Sequence, residues 1–148
     1  MLEKTEGGFL ISQIKQVGDR IFEKLLARAG VDSFNGAQGR ILYVLWQTEK
    51  IPIVELSRKT GLAKTTLTSM LDRMEHARLI ERVFDKADRR QILIKLTDTA
   101  RSLNVEYKTV SSRMNEIYYA NFSNEEINDF ENMLRRILDN LNEKEKTL

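Results

Sequence analysis

Asp85-Lys86-Ala87-Asp88-Arg89-Arg90 is the stretch whose reading decides the fold. It lies between Ile80-Glu81-Arg82-Val83-Phe84 and Gln91-Ile92-Leu93-Ile94-Lys95-Leu96. Both flanks are short and β-prone, and Ile92, Ile94 and Leu96 alternate onto one face of a strand. The basic run between them therefore reads as the tip of a β-hairpin.

Upstream, Val54 to Thr60 predicts a short helix stopped by Gly61, the residue type favoured just past a helix end. Leu62-Ala63 is the turn. The next helix runs from about Lys64 to Ala77, with Leu67, Met70, Leu71 and Met74 facing inward. Its other face carries Lys64, Thr65, Thr66, Thr68, Ser69 and Arg73. A short helix, a glycine turn, a polar-faced helix and a basic hairpin follow one another, which is the order of a helix-turn-helix with a wing. Such a unit reads duplex DNA.

Further out, Ile14, Val17, Ile21 and Leu25 give Phe9 to Arg28 the spacing of an amphipathic helix, ended by Gly30. A second helix is predicted from about Asn35 to Thr48, with Ile41, Val44 and Leu45 inward. Lys50-Ile51-Pro52-Ile53 reads as a short extended link, because Pro52 bars helix. Thr97 opens a long helix carrying Leu103, Tyr107, Val110, Met114 and Ile117. Ser123-Asn124-Glu125-Glu126 is a capping box opening a last helix with Ile127, Phe130, Leu134, Ile137 or Leu138, and Leu141. There is no internal repeat and no low-complexity segment.

Composition sets the outer limits. The chain has 148 residues, 41% hydrophobic and 31% charged, enough for one compact subunit with a core. Cysteine is absent, so neither disulfides nor thiol oxidation can act here. No apolar run approaches the ~20 residues of a membrane span. Lys4, Glu6, Gln13 and Lys15 interrupt the apolar residues of the N-terminus, so no secretory leader is read there and a cytoplasmic location is expected. The net charge is +2, yet Glu55 to Arg101 holds eleven Lys and Arg against seven Asp and Glu. The positive charge thus gathers where the motif lies.

The residue types fit the task. Thr and Ser hydrogen-bond bases or phosphates, and Thr methyls suit the thymine methyl. Lys64 stands at a helix start, where free N–H groups also favour phosphate. Lys86, Arg89 and Arg90 at a hairpin tip reach the backbone or a narrow minor groove. Asp88 would repel phosphate and is read as structuring the wing through an ion pair with Arg90 or Arg73. Taken singly, a charged turn or a Thr/Ser-rich helix face is only a solvated surface; their order makes the case.

Nothing points to catalysis: there is no Gly-rich phosphate loop, no Cys–His pair and no His-Glu-x-x-His. His76 is the sole histidine, so neither a metal nor another cofactor is expected, and His76 reads as partly buried and structural. Tyr118-Tyr119 reads as core or interface. The rival reading is a winged-helix protein-interaction module without specific DNA binding.

From about residue 35 onward the chain resembles the MarR family of winged-helix regulators. The residues that carry the resemblance are Leu56, Gly61-Leu62, Thr66-Leu67-Thr68, Leu71-Asp72-Arg73-Met74-Glu75, Leu79-Ile80-Glu81-Arg82, Asp85, Asp88-Arg89-Arg90 and Leu96-Thr97. Three positions depart from the pattern: Arg78 and Ala100 replace glycines, and Ala63 replaces a frequent capping serine. The resemblance implies a mainly α chain, with a winged helix-turn-helix lobe over residues 35–97 bearing a small β-hairpin wing. Residues 1–34 and 98–148 would form a helical dimerisation region built from both termini. It further implies a homodimer acting on double-stranded DNA at a pseudo-palindromic operator, usually as a repressor, and release by a small aromatic or phenolic effector. The effector pocket would be lined by the first, second and fifth helices.

Overall fold

In the computed structural model, which describes residues 2–148, regular structure is built where the apolar periodicity lies. Seven helices and three strands follow in the order α1 (Gly7–Arg28), α2 (Gly36–Trp46), β1 (Ile51–Pro52), α3 (Ile53–Thr60), α4 (Lys64–His76), β2 (Ile80–Phe84), β3 (Ile92–Leu96), α5 (Asp98–Ser102), α6 (Asn104–Tyr118) and α7 (Asn124–Glu145). The chain divides into two compact units, one running up to Met114 and one from Asn115 to Leu148. Among the described residues no helix is long and apolar enough to cross a membrane.

The core belongs to the first unit. Ile41, Leu42 and Leu45 of α2, Leu56 of α3, and Leu67, Leu71 and Met74 of α4 are fully or almost fully buried. Ile80, Ile94 and Leu96 cover them from the sheet. The hairpin pairs antiparallel with Ile80 opposite Leu96, Arg82 opposite Ile94 and Phe84 opposite Ile92. Ile94 and Leu96 are thus buried as alternation predicts, while Ile92 projects beyond the core and is exposed.

Three expectations are corrected. The extended link at Ile51–Pro52 is a third strand: it pairs antiparallel with β3, Ile51 opposite Ile94. Its proline sits on a sheet edge, where its missing N–H leaves no ladder bond unmade. The long helix after Thr97 is two helices. Thr97 caps α5 by accepting the Ala100 N–H, but the Ala100 carbonyl takes the Trp46 indole N–H at 3.0 Å together with the Leu103 N–H. A side chain inserted into the ladder in this way breaks the run at Leu103. His76 is exposed, not partly buried. In α1 the apolar positions Ile14 and Val17 stay exposed, and Leu26 is its one buried residue.

α1 is nevertheless tied to α2. The Asp19 carboxylate receives Lys15 at 2.8 Å and Arg40, and Glu23 accepts the Gly36 N–H at the start of α2. Burial raises the Asp19 pKa, but the bond from Lys15 and the charge of Arg40 outweigh it and hold the carboxyl below its usual value. Asn35 and Gln38 form a reciprocal capping box at the same helix start.

In the second unit, Ser123 and Glu126 form the expected capping box of α7. The Tyr119 phenol donates to Glu131 at 2.6 Å, and its ring meets Phe122 and Phe130 edge-on. Burial, then that carboxylate, push the phenol up to about 12. No residue of α7 is buried.

Between α4 and β2 the chain turns through a left-handed residue. The Leu79 N–H reaches the Met74 carbonyl and the Arg78 N–H the Glu75 carbonyl, the paired bonds of a Schellman cap. That cap needs a positive φ at Arg78, which stands at 62° without the glycine that would adopt it freely. Buried Leu79 and the Thr97 hydroxyl, which donates to the Arg78 carbonyl at 2.8 Å, hold the turn regardless of residue type. Arg78→Gly is expected to raise the unfolding free energy by roughly 0.5–1 kcal/mol, the left-handed strain relieved less the added chain entropy. A denaturant titration should show a later midpoint with an unchanged slope.

Candidate nucleic-acid interface

Two short helices make the frame. α3 is flanked by Pro52 at its N-cap and by Gly61 at its C-cap, whose φ of 75° closes the helix with a bond from its N–H to the Ser57 carbonyl. The following turn is fixed by side chains: the Ser57 hydroxyl donates to the Leu62 carbonyl at 2.6 Å, and the Thr60 hydroxyl to the Leu56 carbonyl at 2.8 Å. α4 then leaves at a set angle, its inner face sealed by Leu67, Leu71 and Met74. Ala63 precedes it and offers no side-chain cap, so the first N–H groups of α4 lack that partner.

The outer face of α4 carries the residues singled out from the sequence. Lys64, Thr65, Thr66, Ser69 and Arg73 are exposed, and Thr68 is half-buried. Thr65, Ser69 and Arg73 recur at intervals of four and so line one stripe. His76, seven residues past Ser69, extends that stripe, a position the sequence reading missed by assigning it to the interior. The Thr68 hydroxyl is not free: it donates to the Lys64 carbonyl at 2.8 Å.

The wing tip sorts its charges. Asp85 accepts the Ala87 N–H at 2.9 Å, and Asp88 accepts the Arg90 N–H at 3.0 Å. Asx turns of this kind bend the chain back on itself. The ladder is closed by the Asp85 N–H on the Gln91 carbonyl. The Arg90 Nε lies 3.3 Å from Asp88 Oδ1, so the ion pair at Asp88 is made with Arg90 and not with Arg73. With Arg90 93% exposed, that pair contributes little through charge, and the backbone bond is the firmer restraint. Lys86, Arg89 and Arg90 are left pointing outward.

A residue without an assigned role joins α4 to the wing. From β2, Arg82 spreads its guanidinium over two carboxylates of α4, at 2.7 Å from Asp72 and 2.8 Å from Glu75. Its side chain is only 22% exposed. The spacing Asp72-x-x-Glu75 was visible in sequence, as was Arg82; what sequence could not show is that the fork of one arginine takes both. Among the described residues no group of three or more His, Asp and Glu side chains is placed to hold a metal ion.

A polar-faced second helix after a glycine turn, backed by a three-stranded sheet with a basic tip, defines a winged helix-turn-helix. The MarR family model matches residues 34–92, which contain both helices, β1, β2 and the basic tip. A curated relative, the uncharacterized HTH-type transcriptional regulator YsmB of Bacillus subtilis, is 36% identical over 93 residues, covering 63% of this chain and 64% of its own length. The chain therefore spans somewhat under two thirds of that relative. Among solved structures, a mutant MarR from E. coli complexed with operator DNA is 26% identical, with a TM-score of 0.79 over 88% of this chain and 92% of that one. BpsR of Bordetella bronchiseptica, solved in work on regulation of its DNA binding by 6-hydroxynicotinic acid, shares the fold at a TM-score of 0.81 and 20% identity, covering 94% of this chain and 99% of that one. Over residues 34–92 the chain is similar to the MarR family of winged-helix regulators, and its fold is that of the solved MarR structures.

The Arg82 fork bears on how rigidly wing and helix are joined. Arg82→Gln is expected to lower stability by about 1 kcal/mol, a value reduced for the exposure of both carboxylates. The accompanying change to look for is faster amide exchange in β2 and β3 with little change in α1 and α2.

Proposed function

We propose that this protein is a homodimeric, sequence-specific regulator that binds double-stranded DNA, most simply as a repressor at a pseudo-palindromic operator. The observation that carries the proposal is the division of α4 and the wing into a buried apolar side and an outward side of Lys64, Thr65, Thr66, Ser69, Arg73, Lys86, Arg89 and Arg90. Its E. coli relative with the same fold was crystallised with operator DNA. In this reading α4 enters the major groove, with Lys64 and the α4 N-terminus on phosphate. Thr65, Thr66, Thr68, Ser69 and Arg73 face bases and flanking phosphates, and the wing arginines follow the backbone or minor groove.

Dimerisation is supported by apolar surface that the single chain leaves open. On α1, Phe9 is 70% exposed and is followed by exposed Leu10, Ile11, Ile14 and Val17. On α7, Leu141 is 62% exposed, with Met133, Ile137 and Leu138 also open. Two copies would present two α4 helices, with half-sites about one helical turn apart. A cytoplasmic location follows from this role. A protein-interaction module is the competing reading, and salt-insensitive or absent duplex binding would favour it.

For an effector, the supporting feature is the cluster of Phe22, Phe34, Tyr43, Trp46 and Tyr107 on α1, α2 and α6 and the loop before α2, with Arg40 near Tyr107. Tyr107 touches all four other rings, and burial raises the pKa of its phenol. Aromatic rings with one cation suit a small aromatic or phenolic acid. Trp46 is the only tryptophan of the chain, so its emission reports on this cluster alone. Titration with 4-hydroxybenzoate is expected to quench or shift that emission and to weaken DNA binding together; neither changing would remove this compound class from consideration.

The function itself is tested by titrating the purified protein against the DNA upstream of its own gene, at two salt concentrations, with random duplex as competitor. Tight, competitor-resistant and salt-dependent binding is expected. Arg90→Ala should weaken that binding by about tenfold or more, the scale of a lost charged hydrogen bond, while light scattering still reports a dimer. Lys64→Ala should weaken specific and random duplexes alike and reduce the salt slope by about one.

A further inference from the structure

We infer that α4 selects its DNA through the 5-methyl groups of thymine, read by the γ-methyls of Thr65 and Thr66, so that the major-groove part of each half-site is built on thymines. This rests on the DNA-binding reading above and names what that surface recognises.

Each base has a preferred reader in the major groove. Guanine takes the fork of Arg or Lys, adenine the amide of Asn or Gln, cytosine a carboxylate, and thymine an apolar contact on its methyl. α4, Lys-Thr-Thr-Leu-Thr-Ser-Met-Leu-Asp-Arg-Met-Glu-His, contains no Asn and no Gln. Its carboxylates, Asp72 and Glu75, are both taken by Arg82, at 2.7 and 2.8 Å. A cytosine amino group would have to compete with that guanidinium. The cations bracket the helix: Lys64 is its first residue, beside the free N–H groups that suit phosphate, and Arg73 lies more than two turns further on.

What remains over the first two turns, where a recognition helix meets base edges, is Thr65, Thr66, Thr68 and Ser69. A hydroxyl can donate or accept and so distinguishes bases poorly. The threonine methyl does distinguish, because only thymine carries an apolar group at that edge. Thr68 has its hydroxyl tied to the Lys64 carbonyl and is half-buried, which leaves Thr65 and Thr66 as the exposed methyl-bearing side chains. Branching at Cβ restricts their χ1 rotation, so the methyls are held in few orientations.

The test uses the full chain and a duplex selected by it from a random pool. Replacing thymine by uracil in the half-sites keeps base pairing and every hydrogen-bonding atom and removes only the methyl. The wild-type protein is expected to bind the uracil duplex about fourfold more weakly per methyl contact. Uracil placed outside the half-sites should have no effect. Thr65→Ser or Thr66→Ser, which lack the methyl, should bind the thymine duplex more weakly and lose the preference at one position each. Thr66→Val, which keeps the methyl and loses the hydroxyl, should retain it. Equal affinity of the wild type for thymine and uracil duplexes overturns the inference and leaves specific DNA binding standing. So does a full thymine preference surviving in both serine variants, or its loss in Thr66→Val. A selection that enriches no sequence overturns the DNA-binding reading itself, and this inference with it.

Discussion

The interface depends on how α4 is seated. A helix of 13 residues without a side-chain cap is marginal in water on its own. It persists because Leu67, Leu71 and Met74 are wholly buried, and because Arg82 fastens its outer carboxylates to β2. The two attachments act in different directions. Burial fixes how deep α4 lies in the lobe, while the guanidinium fork constrains rotation about its own axis relative to the hairpin. Rotation is the motion that would turn Thr65 and Ser69 away from a groove, so a charged contact of modest energy carries disproportionate geometric weight.

The same division of labour explains the acids in the wing. Asp85 and Asp88 stand among three basic residues and would weaken an anion-binding surface if they pointed with them. Both are turned inward onto backbone N–H groups of the tip. Their charge is spent on the shape of the loop, and the tip keeps Lys86, Arg89 and Arg90 as its outward groups. Asp72 and Glu75 of α4 are treated alike by Arg82. At both places a carboxylate that would repel phosphate is consumed by a structural bond.

What sequence made legible follows from what is local. The α4 stripe, the hairpin and its basic tip, Gly61 and the Ser123 box rest on spacings within one or two turns, and the structure has them in those places. The third strand was not legible, because Ile51–Pro52 is a strand only by virtue of Ile94 and Leu93, far along the chain. The break after Ser102 was hidden for the same reason: its cause is an indole 54 residues away. Of the candidate site, the membership of Lys64, Thr65, Thr66, Ser69, Arg73 and the wing residues on outward faces could be read from periodicity. Which polar groups were already engaged could not: the Thr68 hydroxyl donates to the Lys64 carbonyl, and Asp72 and Glu75 are paired with Arg82. Arg78 is a case of another kind. It stands where the resembled pattern has glycine, and the turn is left-handed all the same because Met74, Leu79 and Thr97 impose it from both sides.

The second unit sets a problem that the single chain leaves unsolved. α7 is 22 residues long and buries none of them, and the fixed points of its unit are a capping box, one phenol–carboxylate bond and a group of edge-on rings. Hydrogen bonds of this kind add little net stability each, and helices draw most of theirs from burying an apolar face. Ile137, Leu138 and Leu141 of α7 are exposed, as are Phe9, Leu10, Ile11, Ile14 and Val17 in the first half of α1. A second copy would supply the missing burial to both at once. In the proposed dimer, then, the folding of these helices and the pairing of two DNA-reading lobes are one event: association is what makes the terminal helices stable, and the stable helices are what fix the distance between the lobes.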